Sequence, residues 1–171
     1  MNSRSARPLS LEFISSRVQL LPREIAAGYR MGFLDDRTVV KLAEREISAG
    51  SSTIPAVEEL ALLLSDDIDR VPTLVSQVES STEATGEEPW RVWLFLTLAW
   101  IHENQDPSGD PMGDIEAVYA EFDYPEEMEG FVPFLPAPSG QASGREAIQE
   151  RWRAYLDQRA HEYAQRRNRH P

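Results

Sequence analysis

The chain contains no cysteine among its 171 residues. This excludes a disulfide scaffold and a thiolate metal site, and it is compatible with a reducing compartment. Long apolar runs are also missing, since the longest, residues 92–101, is far shorter than the roughly 20 residues that cross a bilayer. The first residues carry arginines but lack the apolar stretch of a signal peptide. We therefore expect a cytoplasmic protein that does not enter a membrane.

Catalytic and metal-binding signatures are equally scarce. The three histidines are far apart, and no zinc-protease, nucleophile-elbow, P-loop or dinucleotide-binding motif occurs. Residues 106–110 open like a calcium loop, but Pro111 and Ala117 stand where that loop needs glycine and glutamate. The sequence predicts no catalytic residue, no metal ligand and no cofactor. Whether the protein is an enzyme stays open, with a non-enzymatic role favoured.

Negative charge is concentrated in the middle of the chain. The net charge is −12. Residues 1–30 hold five arginines and two acids, and residues 145–171 hold seven arginines and four acids. Residues 31–144 hold five basic and 23 acidic residues, a net −18. Such a body repels nucleic acid and anionic membranes and attracts a basic partner, although solubility alone is the simpler explanation.

Apolar residues recur at helical spacing along most of the chain, which predicts an all-α fold. The strongest element is residues 89–104, because Trp90 to Ile101 is apolar on every face and helices of that kind are buried. A buried strand pair is the alternative, but nothing in the run signals a turn. We expect a compact multi-helix domain around this Trp-rich central helix. Other helix starts are predicted near Pro22, Asp35 or Asp36, Thr53, Pro72, Asp114 and Arg145.

The length favours a single helical domain over residues 1–171. Residues 1–20 are expected to form a loose N-terminal segment. A C-terminal helix is predicted for residues 145–167, after a flexible joint at 137–144 that is rich in glycine and serine. The C-terminal cluster of arginines is expected to dock on the acidic middle of the same chain; its members are Arg151, Arg153, Arg159, Arg166, Arg167 and Arg169.

The segment 114–131 alternates acids with aromatic residues. Its interaction candidates are Glu121, Asp123, Tyr124, Glu126, Glu127 and Glu129. Aromatic anchors within a charged rim are typical of protein interfaces. A solvated acidic face over a buried aromatic face is the simpler interpretation, and we favour it for Tyr119, Phe122 and Phe131 while leaving Tyr124 open.

Two stretches resemble a known family. Residues Ile115 to Pro136 read IEAVYAEFDYPEEMEGFVPFLP, which is similar to the "YADFDYPEE…FV…MP" segment of the bacterial domain of unknown function 2247 family. Upstream, Glu24 to Leu34 (EIAAGYRMGFL) resembles that family's "I…GY…G(F/W)L" stretch. The resemblance covers about residues 20–160. It implies a small, acidic, uncharacterised bacterial protein of a kind often found as the immunity partner of a secreted toxin, and it carries over no catalytic residue.

Three functional hypotheses follow. The first is a non-enzymatic protein-binding domain, with an immunity protein that neutralises a basic toxin as its sharpest form. The second is an enzyme that uses carboxylates or a divalent metal, which the scarcity of histidine disfavours. The third is a small structural adaptor in a bacterial complex. A protein partner is expected in the first and third cases, a homodimer is compatible with the sequence, and nucleic acid is not an expected ligand.

Overall fold

The computed structural model describes residues 8–168, and within that range the regular structure is entirely helical. The prediction of an all-α fold is therefore confirmed. The α-helices, in chain order, are α1 (Leu11–Ser15), α2 (Pro22–Arg30), α3 (Asp36–Ser48), α4 (Pro55–Ala61), α5 (Val71–Ser81), α6 (Trp90–Glu103), α7 (Pro111–Glu121) and α8 (Arg145–Asn168). Two short 3₁₀ helices, Ser65–Arg70 and Glu126–Phe131, join them.

The chain divides into two compact units. The N-terminal unit contains residues 8–93 together with 166–168, and the C-terminal unit contains residues 94–165. The single domain expected from length stays a prediction. Residues 1–7 of the expected loose segment lie outside the described residues, and further along that segment Ile14 in α1 is wholly buried.

In the N-terminal unit, α2, α3, α4 and α5 pack against one another. Local sequence sets where they begin. Proline occupies the first turn of α2, α4 and α5, where its missing N–H is no loss. At α3, the Asp35 carboxylate accepts a hydrogen bond of 2.8 Å from the Thr38 backbone N–H. The apolar stripe of α3, including Val39 and Leu42, is buried.

Helix α6 is the most thoroughly buried element, and its burial agrees with the prediction from its apolar sequence. All residues from Val92 to Ala99 are buried, and Trp93 is wholly inaccessible. The run forms a helix, not the strand pair considered as its alternative. Burying each large apolar side chain contributes roughly 1.5–3 kcal/mol, so the burial of this helix contributes strongly to the stability of the fold.

The C-terminal unit combines residues 94–103 of α6 with α7, the 3₁₀ helix Glu126–Phe131 and most of α8. Its rings pack on one another, with the centroids of Phe95 and Tyr163 5.2 Å apart. Helix α7 begins at Pro111, not at Asp114 as predicted, because a proline that looks like a loop residue is well suited to the first helical position. None of the helices within residues 8–168 has the length and apolarity needed to cross a membrane.

Candidate functional site

The predicted interaction residues lie on one continuous stretch at the end of α7 and in the 3₁₀ helix that follows. Tyr124 is exposed, and Glu127 is half-buried. The other carboxylates are exposed: Glu121, Asp123, Glu126 and Glu129. The aromatic residues expected in the core, Tyr119, Phe122 and Phe131, are buried. We call this stretch, together with Phe134, the acidic–aromatic surface.

An unusual backbone turn presents Tyr124 to solvent. Both Asp123 and Tyr124 have φ of 59°, in the left-handed region that residues with a side chain rarely adopt. Two hydrogen bonds hold the turn: the Tyr124 N–H donates to the Tyr119 carbonyl at 2.8 Å, and the Asp123 N–H donates to the Ala120 carbonyl at 3.2 Å. The following Pro125 further restricts Tyr124. Such conformations cost about 1–3 kcal/mol each and persist only where surrounding contacts stabilise them.

Three aromatic rings form the centre of this surface. The Tyr124 ring meets the buried Tyr119 ring edge-on, with centroids 5.2 Å apart and an interplanar angle of 82°. Phe134 lies 5.8 Å from Tyr119 on a tilted approach. Tyr124 and Phe134 are each 59% exposed, although both are large and aromatic. Burial, the Glu129 charge and neighbouring Tyr124 raise the pKa of the Tyr119 hydroxyl, so the central ring stays neutral at physiological pH.

The carboxylates of this surface are mostly exposed, with Glu127 half-buried. Residues 114–130 contain seven acids and no lysine or arginine. Within the described residues, His, Asp and Glu side chains do not gather in threes around a possible metal position. The surface combines two exposed aromatic rings, Tyr124 and Phe134, with exposed carboxylates, which suits recognition of a basic surface better than proton transfer.

Sequence reasoning missed a buried ion pair in the N-terminal unit. The Arg166 guanidinium binds the Glu24 carboxylate through two contacts, at 2.8 and 3.1 Å. It also donates to the Gln19 carbonyl at 3.2 Å. Glu24 accepts a further hydrogen bond from the Leu21 N–H at 2.8 Å and is only 4% exposed. Glu24 is the third residue of α2, a position where an acid can cap a helix start, but the sequence does not show its partner 142 residues away.

Burial raises the pKa of the Glu24 carboxyl above its ordinary 4.5, even though the hydrogen bond and charge of Arg166 act to lower it. The expectation that the C-terminal arginines dock on the acidic middle did not include this pair, because Glu24 lies in the basic N-terminal part. The physical reason for the pairing is desolvation. The Glu24 carboxylate at the start of α2 is already removed from water, so it gains more from a neighbouring cation than a solvated acid does. Arg151 does dock on residues 31–144, but on the backbone carbonyls of Gly130 and Ala142. Arg169, another member of the cluster, lies outside the described residues.

The start of α2 also has a packing role. The indole N–H of Trp93 donates to the Glu24 carbonyl at 2.7 Å, and the Trp93 ring stacks on Phe33 with centroids 5.2 Å apart. Gly28 gives that indole its space, because a Cβ there would lie 2.0 Å from a ring carbon of Trp93. The residues Glu24, Gly28 and Phe33 of the "I…GY…G(F/W)L" stretch thus surround one buried tryptophan.

A cleft of about 360 Å³ lies beside the ion pair in the N-terminal unit. Glu24 and Arg166 form part of its wall, but each satisfies the other. Arg23, also in the wall, donates to the Thr85 carbonyl at 2.8 Å. Three of the charged groups that line this cleft, Arg23, Glu24 and Arg166, are therefore engaged in contacts between its walls.

The sequence model of a family described as "Uncharacterized protein conserved in bacteria (DUF2247)" matches residues 11–160. No curated protein and no solved structure matches the chain.

Proposed function

Because the chain belongs to the DUF2247 family of bacterial proteins, whose description assigns no activity, we propose from its surface chemistry that it is a protein-binding domain for a basic partner. The observation that carries this proposal is the acidic–aromatic surface, where Tyr124 and Phe134 are each 59% exposed among carboxylates. In its sharpest form, the protein is an immunity protein that covers the cationic active site of a toxin.

The exposed rings supply the binding energy in this proposal. Large aromatic side chains bury much area at low entropic cost and dominate interface energetics. Tyr124 is held in place by its left-handed turn and by Tyr119 beneath it, so little of its freedom remains to be lost on binding.

The carboxylates supply steering and orientation. The uninterrupted negative charge of residues 114–130 accelerates encounter with a cationic surface and disfavours anionic partners. Rim carboxylates act mainly on the association rate and its salt dependence, whereas the rings act on dissociation. The two kinds of residue therefore make separable predictions.

The first partner to test is the product of the neighbouring gene, with binding measured by surface plasmon resonance. Tyr124→Ala with Phe134→Ala should weaken binding about 30-fold or more through faster dissociation, in line with an aromatic hot spot of at least 2 kcal/mol. Glu126→Gln with Glu129→Gln should slow association and flatten its dependence on salt.

A matched control uses a second exposed acidic site, in the 3₁₀ helix Ser65–Arg70 of the N-terminal unit. Asp66→Asn with Asp67→Asn removes the same charge from exposed positions. If this control weakens binding as much as the Glu126 and Glu129 variant, only net charge matters and the assigned surface is wrong. A housekeeping enzyme as the neighbour, with no toxin-like protein co-purifying, would contradict the immunity role.

The enzyme hypothesis finds less support, because the carboxylates of residues 121–129 are mostly solvated. A catalytic carboxyl usually needs burial or a close charge that shifts its pKa. The adaptor hypothesis has one observation in its favour. Leu62 and Leu64, in the N-terminal unit, are 79% and 70% exposed. Light scattering of the wild type and of Leu62→Ser with Leu64→Ser tests it, since self-association through these residues would disappear in the variant.

A further inference from the structure

The N-terminal unit has a second cleft, of about 280 Å³, whose walls differ from those of the first. Its apolar lining includes Val18, Leu20 and Leu42. Its charged lining residues are Arg45, Glu46 and Arg167. The volume is close to the lower limit of about 300 Å³ for small-molecule sites. An apolar wall with a few charged groups is typical of such sites.

Glu46 is a buried carboxylate without a cation. It is 6% exposed, and among residues 8–168 no lysine or arginine nitrogen lies within 4.0 Å of it. Burial raises the pKa of its carboxyl above the ordinary 4.5, hydrogen bonding with Gln19 lowers it, and the charge of Glu24 raises it further. Buried carboxylates are ordinarily paired, so an acid in this position calls for a positive group from outside.

The two arginines of the cleft are exposed and keep most of their donors. Arg45 donates to the Ser15 hydroxyl, and Arg167 donates to the Ser16 carbonyl at 3.3 Å. A guanidinium has five N–H donors in a fork that matches a carboxylate, so each retains donors for an anionic group. The cleft therefore has a buried negative group and exposed positive groups.

We propose that this cleft binds a small zwitterion of the amino-acid type, with its ammonium on Glu46, its carboxylate on Arg45 or Arg167, and an apolar body against Val18, Leu20 and Leu42. This site lies in the N-terminal unit and does not depend on the acidic–aromatic surface of the C-terminal unit. The ligand supplies the cation that Glu46 lacks and replaces the water that solvates the rim arginines.

Isothermal titration of the full chain with four probes tests the proposal. L-Leucine and 6-aminohexanoate are zwitterions with different charge spacing, while 3-methylbutylamine and 4-methylpentanoate each keep only one charge of leucine. At least one zwitterion should bind, and the one-charge analogues should bind at least tenfold more weakly. Failure of both zwitterions to bind at millimolar concentration, or equal binding by the amine alone, overturns the proposal.

Glu46→Gln should reduce zwitterion affinity at least tenfold, whereas Glu44→Gln, on the exposed side of α3, should leave it unchanged. Unchanged affinity in Glu46→Gln refutes the assignment. If that variant folds poorly, carbon-detected NMR of the wild-type protein tests the proposal instead. Bound ligand should lower the pKa of Glu46, whose surroundings also include Gln19, Glu24, Arg45 and Arg167. No change in its titration on ligand addition would equally refute the proposal.

Discussion

Gly28→Ala is the most direct test of how the N-terminal unit is packed. Helix propensity alone predicts that this substitution stabilises the protein, since alanine is more favourable than glycine in a helix interior by about 1 kcal/mol. Yet an added Cβ would lie 2.0, 2.4 and 2.7 Å from three carbons of the Trp93 ring. Atoms cannot share that space, so the buried indole must move.

The cost can be worked from what Trp93 would lose. Overpacking a dense core costs about 1–3 kcal/mol. Moving the indole also breaks its 2.7 Å hydrogen bond to the Glu24 carbonyl, and a buried donor left unpaired costs about 1–3 kcal/mol. After the gain in helix propensity, we expect the free energy of unfolding to fall by about 3 kcal/mol.

Urea denaturation followed by circular dichroism measures this change, and the Trp93 indole proton reports its position by NMR. Gly113→Ala in α7 is the control, because the nearest atom to its added Cβ is the flexible Asp110 carboxylate at 2.7 Å. That variant should be neutral or more stable by up to about 1 kcal/mol. A Gly28→Ala protein as stable as the wild type would refute the close-packing argument.

Three further predictions concern charge and backbone. Asp123→Val should lower the free energy of unfolding by about 1–2 kcal/mol because the left-handed turn excludes a β-branched residue, while Asp123→Asn should stay within about 0.5 kcal/mol; chemical denaturation measures both. Arg166→Met should cost about 3 kcal/mol by leaving Glu24 buried without its cation, and adding Glu24→Gln should recover part of that loss in a double-mutant cycle. Because the folded-state pKa of Glu46 is raised, its contribution to stability is present below about pH 4.5 and is lost as pH rises through the folded value. Glu46→Gln should therefore gain more stability over the wild type at about pH 7 than at about pH 4 in urea titrations, and equal gains would contradict the raised pKa.

Helix positions could be predicted where the sequence has a strong pattern. The apolar run within residues 89–104 predicts α6, and Pro22 predicts the start of α2. Helix α1 was not predicted, because five residues from Leu11 to Ser15 carry too little periodicity. Its capping residue is Ser10, whose side chain accepts a 3.2 Å hydrogen bond from the Phe13 N–H. One capping serine is a weak predictor of a helix start.

The candidate site could likewise be predicted only in part. The acidic–aromatic surface could be predicted because its acids and rings are contiguous in the sequence. The sequence could not show that Tyr124 and Phe134 would be the exposed rings, since this depends on the left-handed turn at 123–124. In the sequence, Glu24 looks like a solvated capping acid and Glu46 like a surface acid of α3, and only tertiary packing removes both from water.

The Glu24–Arg166 pair also has a consequence during synthesis of the chain. The two residues are 142 positions apart, so at about 5–20 residues per second the ribosome adds the arginine roughly 7–28 s after the glutamate. Throughout that interval, a nascent N-terminal unit that closed early would enclose a carboxylate without its counter-ion. The unit can therefore reach its full stability only after the ribosome has delivered the last turn of α8, even though most of its residues emerge first.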